Sequence, residues 1–196
     1  MKRKAIKKGN GSKKRGVAAL KTADNIKKVK SEYEKKVGQL STLMALSTIL
    51  NSTLEQKEVR KRAIEAATRL TESEVGSLLL VDAEKNELFF EVALGEKGEK
   101  VKEIRLKMGE GIAGWVAKTG EPVIIDDVQN DPRFFKGADK KSSFVTRNMI
   151  CVPVKSEGKV IGVLQAINKL KGGRFTKDDL QGLRSLADQV AIAIEK

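Results

Sequence analysis

Residues 159–180, KVIGVLQAINKLKGGRFTKDDL, combine an apolar strand, a glycine-containing loop and the start of a helix. Thr176 is a good N-cap, and Asp179 stands three residues later, which is the spacing of a capping box. A carboxylate in the first turn is also favoured by the helix dipole. Lys169 ends the strand close by, so an ion pair with Asp179 would clamp the helix onto the sheet. We interpret four residues as a structural brace rather than as ligand contacts: Asn168, Lys169, Phe175 and Asp179.

Short apolar runs separated by turn residues precede this stretch. Most of the runs are joined by short loops, which indicates an antiparallel sheet of about six strands in an α+β domain. We expect the terminal helices on one face of this sheet and the 109–148 insertion, with short helices and loops, on the other. The predicted strands are 74–82, 87–94, 101–108, 121–127, 147–154 and 159–169. Within the insertion, we expect a short helix at 130–135 and an irregular lid at 135–144.

The positive charge is concentrated at one end of the chain. Residues 1–36 hold 14 Lys/Arg against 3 Asp/Glu, whereas residues 37–196 hold 25 against 23. We predict that residues 1–21 form a basic, flexible arm. The block 1–36 suits a solubility tail, nucleic acid, an anionic membrane surface or a protein partner, and the sequence does not separate these.

An amphipathic helix is predicted over residues 22–52, followed by a folded domain over 53–196. Apolar residues recur at steps of three or four in this helix and again in the final helix, where the seam is typical of a coiled coil. Stripes of this kind favour a homodimer formed through the terminal helices, and packing on its own domain is the alternative for the helix at 22–52. The stripes are Ile26, Val29, Tyr33, Val37 and Leu40, and Leu180, Leu183, Ala187, Val190 and Ile194.

Several chemistries lack their usual residues. The chain has no histidine, which removes the commonest general base and metal ligand, and Cys151 is its only cysteine. We therefore expect no catalytic residues, no metal site and no enzymatic activity. No apolar run is long enough for a membrane span, and the basic N-terminus lacks the apolar centre of a secretory signal, so we expect a cytoplasmic protein.

Four segments follow one another in the second part of the chain: GEGIAGWVAKTGEPVII (109–125), DDVQNDPRF (126–134), VTRNMICVPV (145–154) and VIGVLQAINK (160–169). In this order and spacing they resemble the GAF domain, a small-molecule sensor module related to PAS domains. The resemblance covers residues 53–196, and it includes the Asn-Lys…Phe-x-x-x-Asp signature of GAF domains from cyclic-nucleotide phosphodiesterases. The acidic residue expected after Asp179 is replaced by Leu180.

The resemblance implies a ligand pocket between the sheet and the 109–148 insertion. Trp115 suits either a core position or stacking on a flat ligand. Arg147 suits either an anion or the solvent. We predict that the ligand-binding residues are Ser77, Ile112, Trp115, Phe134, Phe135, Thr146, Arg147, Asn148 and Cys151. A single cysteine disfavours the methionine-sulfoxide reductase chemistry of some relatives, and the lack of histidine disfavours haem and bilin.

Two functions fit this sequence. The first is a non-enzymatic signalling module, in which a small molecule, with a nucleotide as one candidate, shifts the terminal helices of a dimer toward an unknown output protein. The second is a ligand-free dimerisation or adaptor domain whose pocket is filled by Trp115, Phe134 and Leu164, with the basic arm available to nucleic acid. An open cavity with polar groups would favour the first, and a filled one the second.

Overall fold

A computed structural model describes residues 11–50, 56–95 and 98–195 of the chain. Within the first of these ranges it describes the side chains of residues 25–44. The chain divides into two compact units, one ending at Ser41 and the other beginning at Thr42. The sheet and its covering helices belong to the second unit.

Helix α1 spans Gly11–Leu50, so it begins well before the predicted start at residue 22. The prediction of a flexible arm over 1–21 is therefore wrong for residues 11–21, and residues 1–10 lie outside the described part of the chain. Alanine, leucine, lysine and arginine dominate 13–21, and their high helix propensity outweighs the missing apolar period. The stripe from Ile26 to Leu40 is exposed, with exposed fractions from 51% at Val37 to 70% at Tyr33.

The second unit contains an antiparallel sheet of six strands among the described residues, in the order β3-β2-β1-β6-β5-β4. This confirms the α+β class and the central antiparallel sheet. Two long strands, β1 and β6, pair at the centre, and the two shortest strands form the edges. The strands are β1 Ser73–Asp82, β2 Glu87–Ala93, β3 Arg105–Lys107, β4 Val123–Ile125, β5 Met149–Ser156 and β6 Lys159–Lys169.

Helices α2 (Gln56–Thr71) and α6 (Lys177–Glu195) cover one face of the sheet. The apolar seam of α6, which predicted a coiled coil, packs within its own domain instead. Leu183, Ala187 and Val190 are buried in that core. Full burial of a leucine side chain contributes about 1.5–3 kcal/mol. The α6 seam therefore stabilises the domain, which leaves the α1 stripe as the surface that bears on the predicted dimer.

Three short helices cover the other face: α3 (Gly98–Val101), α4 (Gly111–Thr119) and α5 (Gly137–Ser142). Side chains alternate between the two faces along each strand, so Leu78 packs toward α2 and α6 while Leu79 packs toward α4. Sheet and helices thus form two separate apolar cores.

The predictions for residues 101–148 require three corrections. The strand predicted at 101–108 is shortened to β3, because residues 101–104 form the end of α3 and the turn after it. The helix predicted at 130–135 is absent: a short 3-10 helix spans Val128–Asn130, and a turn follows, in which the Asp131 carboxylate accepts hydrogen bonds from the Arg133 N–H and guanidinium instead of capping a helix. The lid contains α5, whose end is fixed where the Ser142 hydroxyl donates to the Ala138 carbonyl at 2.7 Å.

The brace at the end of β6 has the ion pair that the sequence indicates. Lys169 Nζ lies 3.2 Å from each carboxylate oxygen of Asp179, and it also donates to the Thr71 carbonyl at 2.8 Å. Asp179 is fully buried, and Lys169 is 8% exposed. Thr176 completes the capping box: its N–H donates to Asp179 at 2.9 Å, and the Asp179 N–H donates to its hydroxyl at 3.2 Å. Phe175 is buried beneath the loop.

Asn168 links the same strand end to the chain returning from the lid. Its backbone is left-handed (φ 60°), a conformation that asparagine tolerates better than most residues. Its amide Nδ2 donates to the Val145 carbonyl at 2.8 Å and to Glu74 at 2.9 Å, and its Oδ1 accepts from the Arg147 N–H at 2.7 Å. The buried side chain thereby joins β1, β6 and the entry to β5.

Replacing Gly114 should destabilise the domain. A Cβ at this position would stand 2.7 Å from the Lys107 carbonyl and 3.0 Å from the Gly109 nitrogen, both of them backbone atoms. We expect Gly114→Ala to lower the free energy of unfolding by roughly 1–3 kcal/mol in a urea titration. Gly182→Ala is the matched control, because its Cβ would meet only the movable Leu70 side chain, at 3.1 Å. Equal stability of the two variants would contradict this account of α4.

Removing one partner of the brace should cost more than removing an exposed pair. Asp179→Asn leaves the Lys169 ammonium buried beside a neutral amide, so we expect a loss of roughly 3–5 kcal/mol in the free energy of unfolding. Asp126→Asn is the control, because the Asp126–Arg174 pair, 3.4 Å apart, is 48% and 79% exposed. We expect less than about 1 kcal/mol there. A loss at Asp179 no larger than at Asp126 would show that the pair does not hold α6.

Candidate functional site

A cavity of about 300 Å³ lies between the sheet and the three short helices. Its floor is formed by β1, β2 and β6, and its roof by α3, α4 and α5. Most of the wall is apolar, with a few polar groups. Side chains that line the cavity include Ser77, Phe90, Leu106, Ile112, Phe134, Phe135, Asp139, Ser142, Phe144, Thr146, Met149 and Gln165.

A row of polar side chains crosses the floor. Ser77, Gln165 and Cys151 are directly paired in the register of β1, β6 and β5, so their side chains point to the same face. The Ser77 hydroxyl donates to Gln165 Oε1 at 2.8 Å, and both residues are buried. Burial raises the pKa of the Cys151 thiol to about 12, although a hydrogen bond from Gln165 opposes this shift.

The roof is held by one carboxylate on α5. Asp139 Oδ1 accepts from the Thr146 hydroxyl at 2.6 Å, and Oδ2 accepts from the Thr146 N–H at 2.8 Å and from Gln129 at 3.1 Å. Lys141, on the outer side of the same helix, pairs with Glu103 at 2.6 Å. The first set of bonds joins the lid to the strand entering β5, and the second joins it to the loop after α3.

Five of the predicted ligand-binding residues line the cavity. Ser77 lies on the floor, Ile112 on α4, and Phe134, Phe135 and Thr146 on the lid side. These five residues come together because the insertion folds back over β1.

Trp115 lies outside the cavity wall, half-buried on α4. The Arg133 guanidinium stacks 4.6 Å from the centre of its indole ring and also forms a bidentate ion pair with Asp131. The hydrogen bond from Arg133 lowers the pKa of the Asp131 carboxyl below its usual value, despite partial burial. Trp115 is thus a packing residue under an arginine and does not face a ligand here.

Arg147 and Asn148 also lie outside the wall, because they serve the brace. Arg147 pairs with Glu74 at 2.6 Å. Burial alone would raise the pKa of the Glu74 carboxyl, but hydrogen bonds from Arg147 and Asn168 outweigh it and lower the pKa. Asn148 donates to the Gly173 carbonyl at 3.1 Å and accepts from the Lys169 N–H at 2.8 Å. Cys151 is fully buried and lies outside the cavity wall.

Several residues of the wall, among them Gln165 and Asp139, were not predicted from the sequence. Gln165 carries a recognisable signal, since it is a polar residue inside an apolar strand and its face could have been read from the alternation of side chains. Asp139 carried none, because it stands in a lysine-rich stretch that reads as solvated. Asn168, Lys169, Phe175 and Asp179 lie away from the cavity, at the end of β6 and the start of α6.

No helix in the described part of the chain is both long and apolar enough to cross a membrane. Among the same residues, no group of three or more Cys, Asp or Glu side chains is arranged to hold a metal ion.

Comparison with known sequences places the domain. The profile of the GAF domain family matches residues 53–195. The chain is 32% identical over 156 residues to the probable 3',5'-cyclic phosphodiesterase pde-5 of Caenorhabditis elegans, which covers 75% of this chain and 21% of that protein. It is 35% identical over 136 residues to the dual 3',5'-cyclic-AMP and -GMP phosphodiesterase 11A of Takifugu rubripes, covering 59% and 15%. The chain thus spans about a fifth or less of these relatives.

Solved structures share the fold. The GAF domain of a phosphoenolpyruvate-protein phosphotransferase from Coxiella burnetii matches with a TM-score of 0.73 at 20% identity, covering 80% of this chain and 92% of that one. The nlh2 GAF domain of A. aeolicus in an inactive state matches with a TM-score of 0.69 at 18% identity, covering 82% and 98%. The profile match, the six-stranded sheet and the roofed cavity agree, and the chain belongs to the GAF domain family.

Proposed function

We propose that this protein is a non-enzymatic sensor module that binds a small molecule in the cavity and passes the binding event to its helices. The observation that carries the proposal is the roofed, mostly apolar cavity of about 300 Å³ with a few convergent polar groups. Its volume stands at the lower end of the range for ligand pockets. The adaptor alternative requires a filled pocket, but Trp115 lies outside the wall and Leu164 belongs to the core on the other face of the sheet.

Two sets of hydrogen bonds, joined by the backbone of residues 146–148, support transmission from the cavity to α6. Asp139 holds Thr146 in the wall, and the next residue, Arg147, donates its N–H to Asn168. Asn148 accepts from the Lys169 N–H, and Lys169 pairs with Asp179 in the first turn of α6. A ligand that prefers one position of the lid therefore biases the position of α6, which is the requirement for a population shift.

The proposed module works as a homodimer through α1. The apolar stripe from Ile26 to Leu40 is more than half exposed at each of its five positions, at steps of three or four residues. A second copy of the same helix supplies a matching stripe, since a symmetric pair is self-complementary. The output protein is then reached through this helix pair.

The absence of catalysis in this proposal is supported by the chemistry of the site. The thiol of Cys151 stays protonated near neutral pH, because its pKa is about 12 and burial is the cause. A protonated, fully buried thiol is a poor nucleophile. The proposed ligand is a small organic molecule, bound without metal, haem or bilin. Cyclic nucleotides are the first compounds to test, because the relatives' names concern enzymes that act on them.

Filling the cavity should abolish binding. Ala138 lies on α5 in the cavity wall, so Ala138→Trp places an indole in the space of the ligand. We expect native mass spectrometry to show a small molecule retained by, or added to, the wild type and absent from this variant. Val145→Trp is the control, because Val145 lies beside the lid but is 63% exposed and outside the wall. Binding to Ala138→Trp as strong as to the wild type would refute this location for the ligand.

Charges placed in the α1 stripe should break the dimer. We expect Val29→Glu/Val37→Glu to be monomeric in sedimentation equilibrium at concentrations where the wild type is a dimer, because buried like charges repel across the seam. Lys28→Glu/Lys35→Glu adds the same two glutamates away from the stripe and should remain dimeric. A monomeric wild type at tens of micromolar would overturn the proposed dimer.

A further inference from the structure

We propose that the cavity selects a small molecule with an apolar body and a protonated amine, which binds the carboxylate of Asp139. This inference rests on the proposed function, since it names the class of ligand for the same cavity. It follows from the charge of the wall and from a count of the donors and acceptors that the wall has left to offer.

The charge of the wall is the first step. Among the described residues that line the cavity, Asp139 is the one with a side chain that is charged at neutral pH. The lysines of α5 do not line the cavity, and Lys141 points to Glu103 on the outside. One carboxylate and no cation among the described residues of the wall favour a positive ligand and oppose a phosphate or carboxylate, because low-dielectric walls strengthen the field of a single charge.

The hydroxyl groups of the wall give the second step. Each hydroxyl has one proton to donate, and three of these protons are already used within the protein. Ser77 donates to Gln165 at 2.8 Å, Ser142 to the Ala138 carbonyl at 2.7 Å, and Thr146 to Asp139 at 2.6 Å. What these side chains keep for a ligand is acceptor capacity.

Asp139 itself also retains acceptor capacity. An ionised carboxylate has about four lone-pair sites. Thr146 and Gln129 occupy three of them, through the hydroxyl, the backbone N–H and the side-chain amide. An ammonium group would satisfy the remaining site with a charge-assisted hydrogen bond, which is stronger than a neutral one.

Among the described residues of the wall, the first turn of α4 favours an anion, because amide groups at a helix start lack helical acceptors, and the side-chain amide of Gln165 is a further donor. Aromatic packing limits access to the first turn of α4. The Phe135 Cβ lies 3.0 Å from where a Cβ on Gly111 would stand. With Phe90 and Phe134, this side chain gives the cavity an aromatic surface suited to the apolar body of the ligand.

Three indoles of nearly equal size test the proposal on the intact protein. Tryptamine carries an ammonium group, tryptophol a neutral hydroxyl and indole-3-acetate a carboxylate. We expect titration calorimetry or protein NMR to rank tryptamine first, about tenfold tighter than tryptophol, with indole-3-acetate weakest. Asp139→Asn should remove the advantage of tryptamine over tryptophol.

Glu103→Gln is the matched control, because it makes the same change of charge and removes the other attachment of the lid while leaving Asp139 in place. It should weaken or preserve binding of all three indoles equally and keep their order. Melting temperatures of both variants show whether they fold. The ranking of the three indoles on the wild-type protein tests the proposal without either variant.

The outcomes separate the two proposals. Tighter binding of tryptophol, indole-3-acetate or a cyclic nucleotide than of tryptamine would overturn the amine inference and leave the sensor function standing. Retention of the tryptamine advantage in a folded Asp139→Asn variant would also overturn it. Failure of all three indoles, cyclic AMP and cyclic GMP to bind would count against the inference and the proposed function together.

Discussion

The buried ion pair between Lys169 and Asp179 is the constraint on which the second unit depends. Taking two charges out of water costs more than a poor pairing returns, so such a pair persists only where further hydrogen bonds satisfy both groups. Here the Thr71 carbonyl and the Thr176 N–H and hydroxyl provide them. The end of α2, the end of β6 and the start of α6 must therefore meet at one point. This meeting point forms a fixed corner of the domain, and the two apolar cores on either side of the sheet pack next to it.

This corner also explains why the cavity lies where it does. Residues 145–148 must reach β5 from the lid while their backbone and side chains serve Asn168, Lys169 and Gly173. The brace thus anchors the lid where the chain enters β5. The rest of the insertion spans the sheet with short helices. Helices of four to nine residues cannot fill the space above β1 as α2 and α6 fill the opposite face. An apolar space remains, roofed by side chains that belong to the lid.

The sequence predicted those parts of the structure that local chemistry determines. The capping box and the facing lysine identify the brace, because three-residue spacing and charge suffice, and alternating strands indicate the sheet. The surroundings of Trp115 could not be predicted from the sequence. They depend on which side of the nine-residue helix α4 faces the sheet, and on Arg133, which comes from another loop. Alternation along the strands was enough to predict that Ser77 and Cys151 belong to one face, whereas α5 has six residues and is too short to show a period. The start of α1 was missed because propensity, and not apolar spacing, sets it.

Asp139 has two roles: its carboxylate holds the lid, and it supplies the negative charge of the cavity wall. The exposed Lys141–Glu103 pair contributes little to holding the lid, as exposed pairs generally do. The position of the lid therefore depends mainly on the bonds from Thr146 and Gln129 to Asp139, which also supplies the charge of the cavity wall. A cation bound there in the proposed manner would compete with, or reinforce, the bonds that position Thr146. In the proposed mechanism, a shift of Thr146 would pass along the chain to Asn148, from there to the Lys169 N–H, and from the Lys169 ammonium to Asp179 in the first turn of α6.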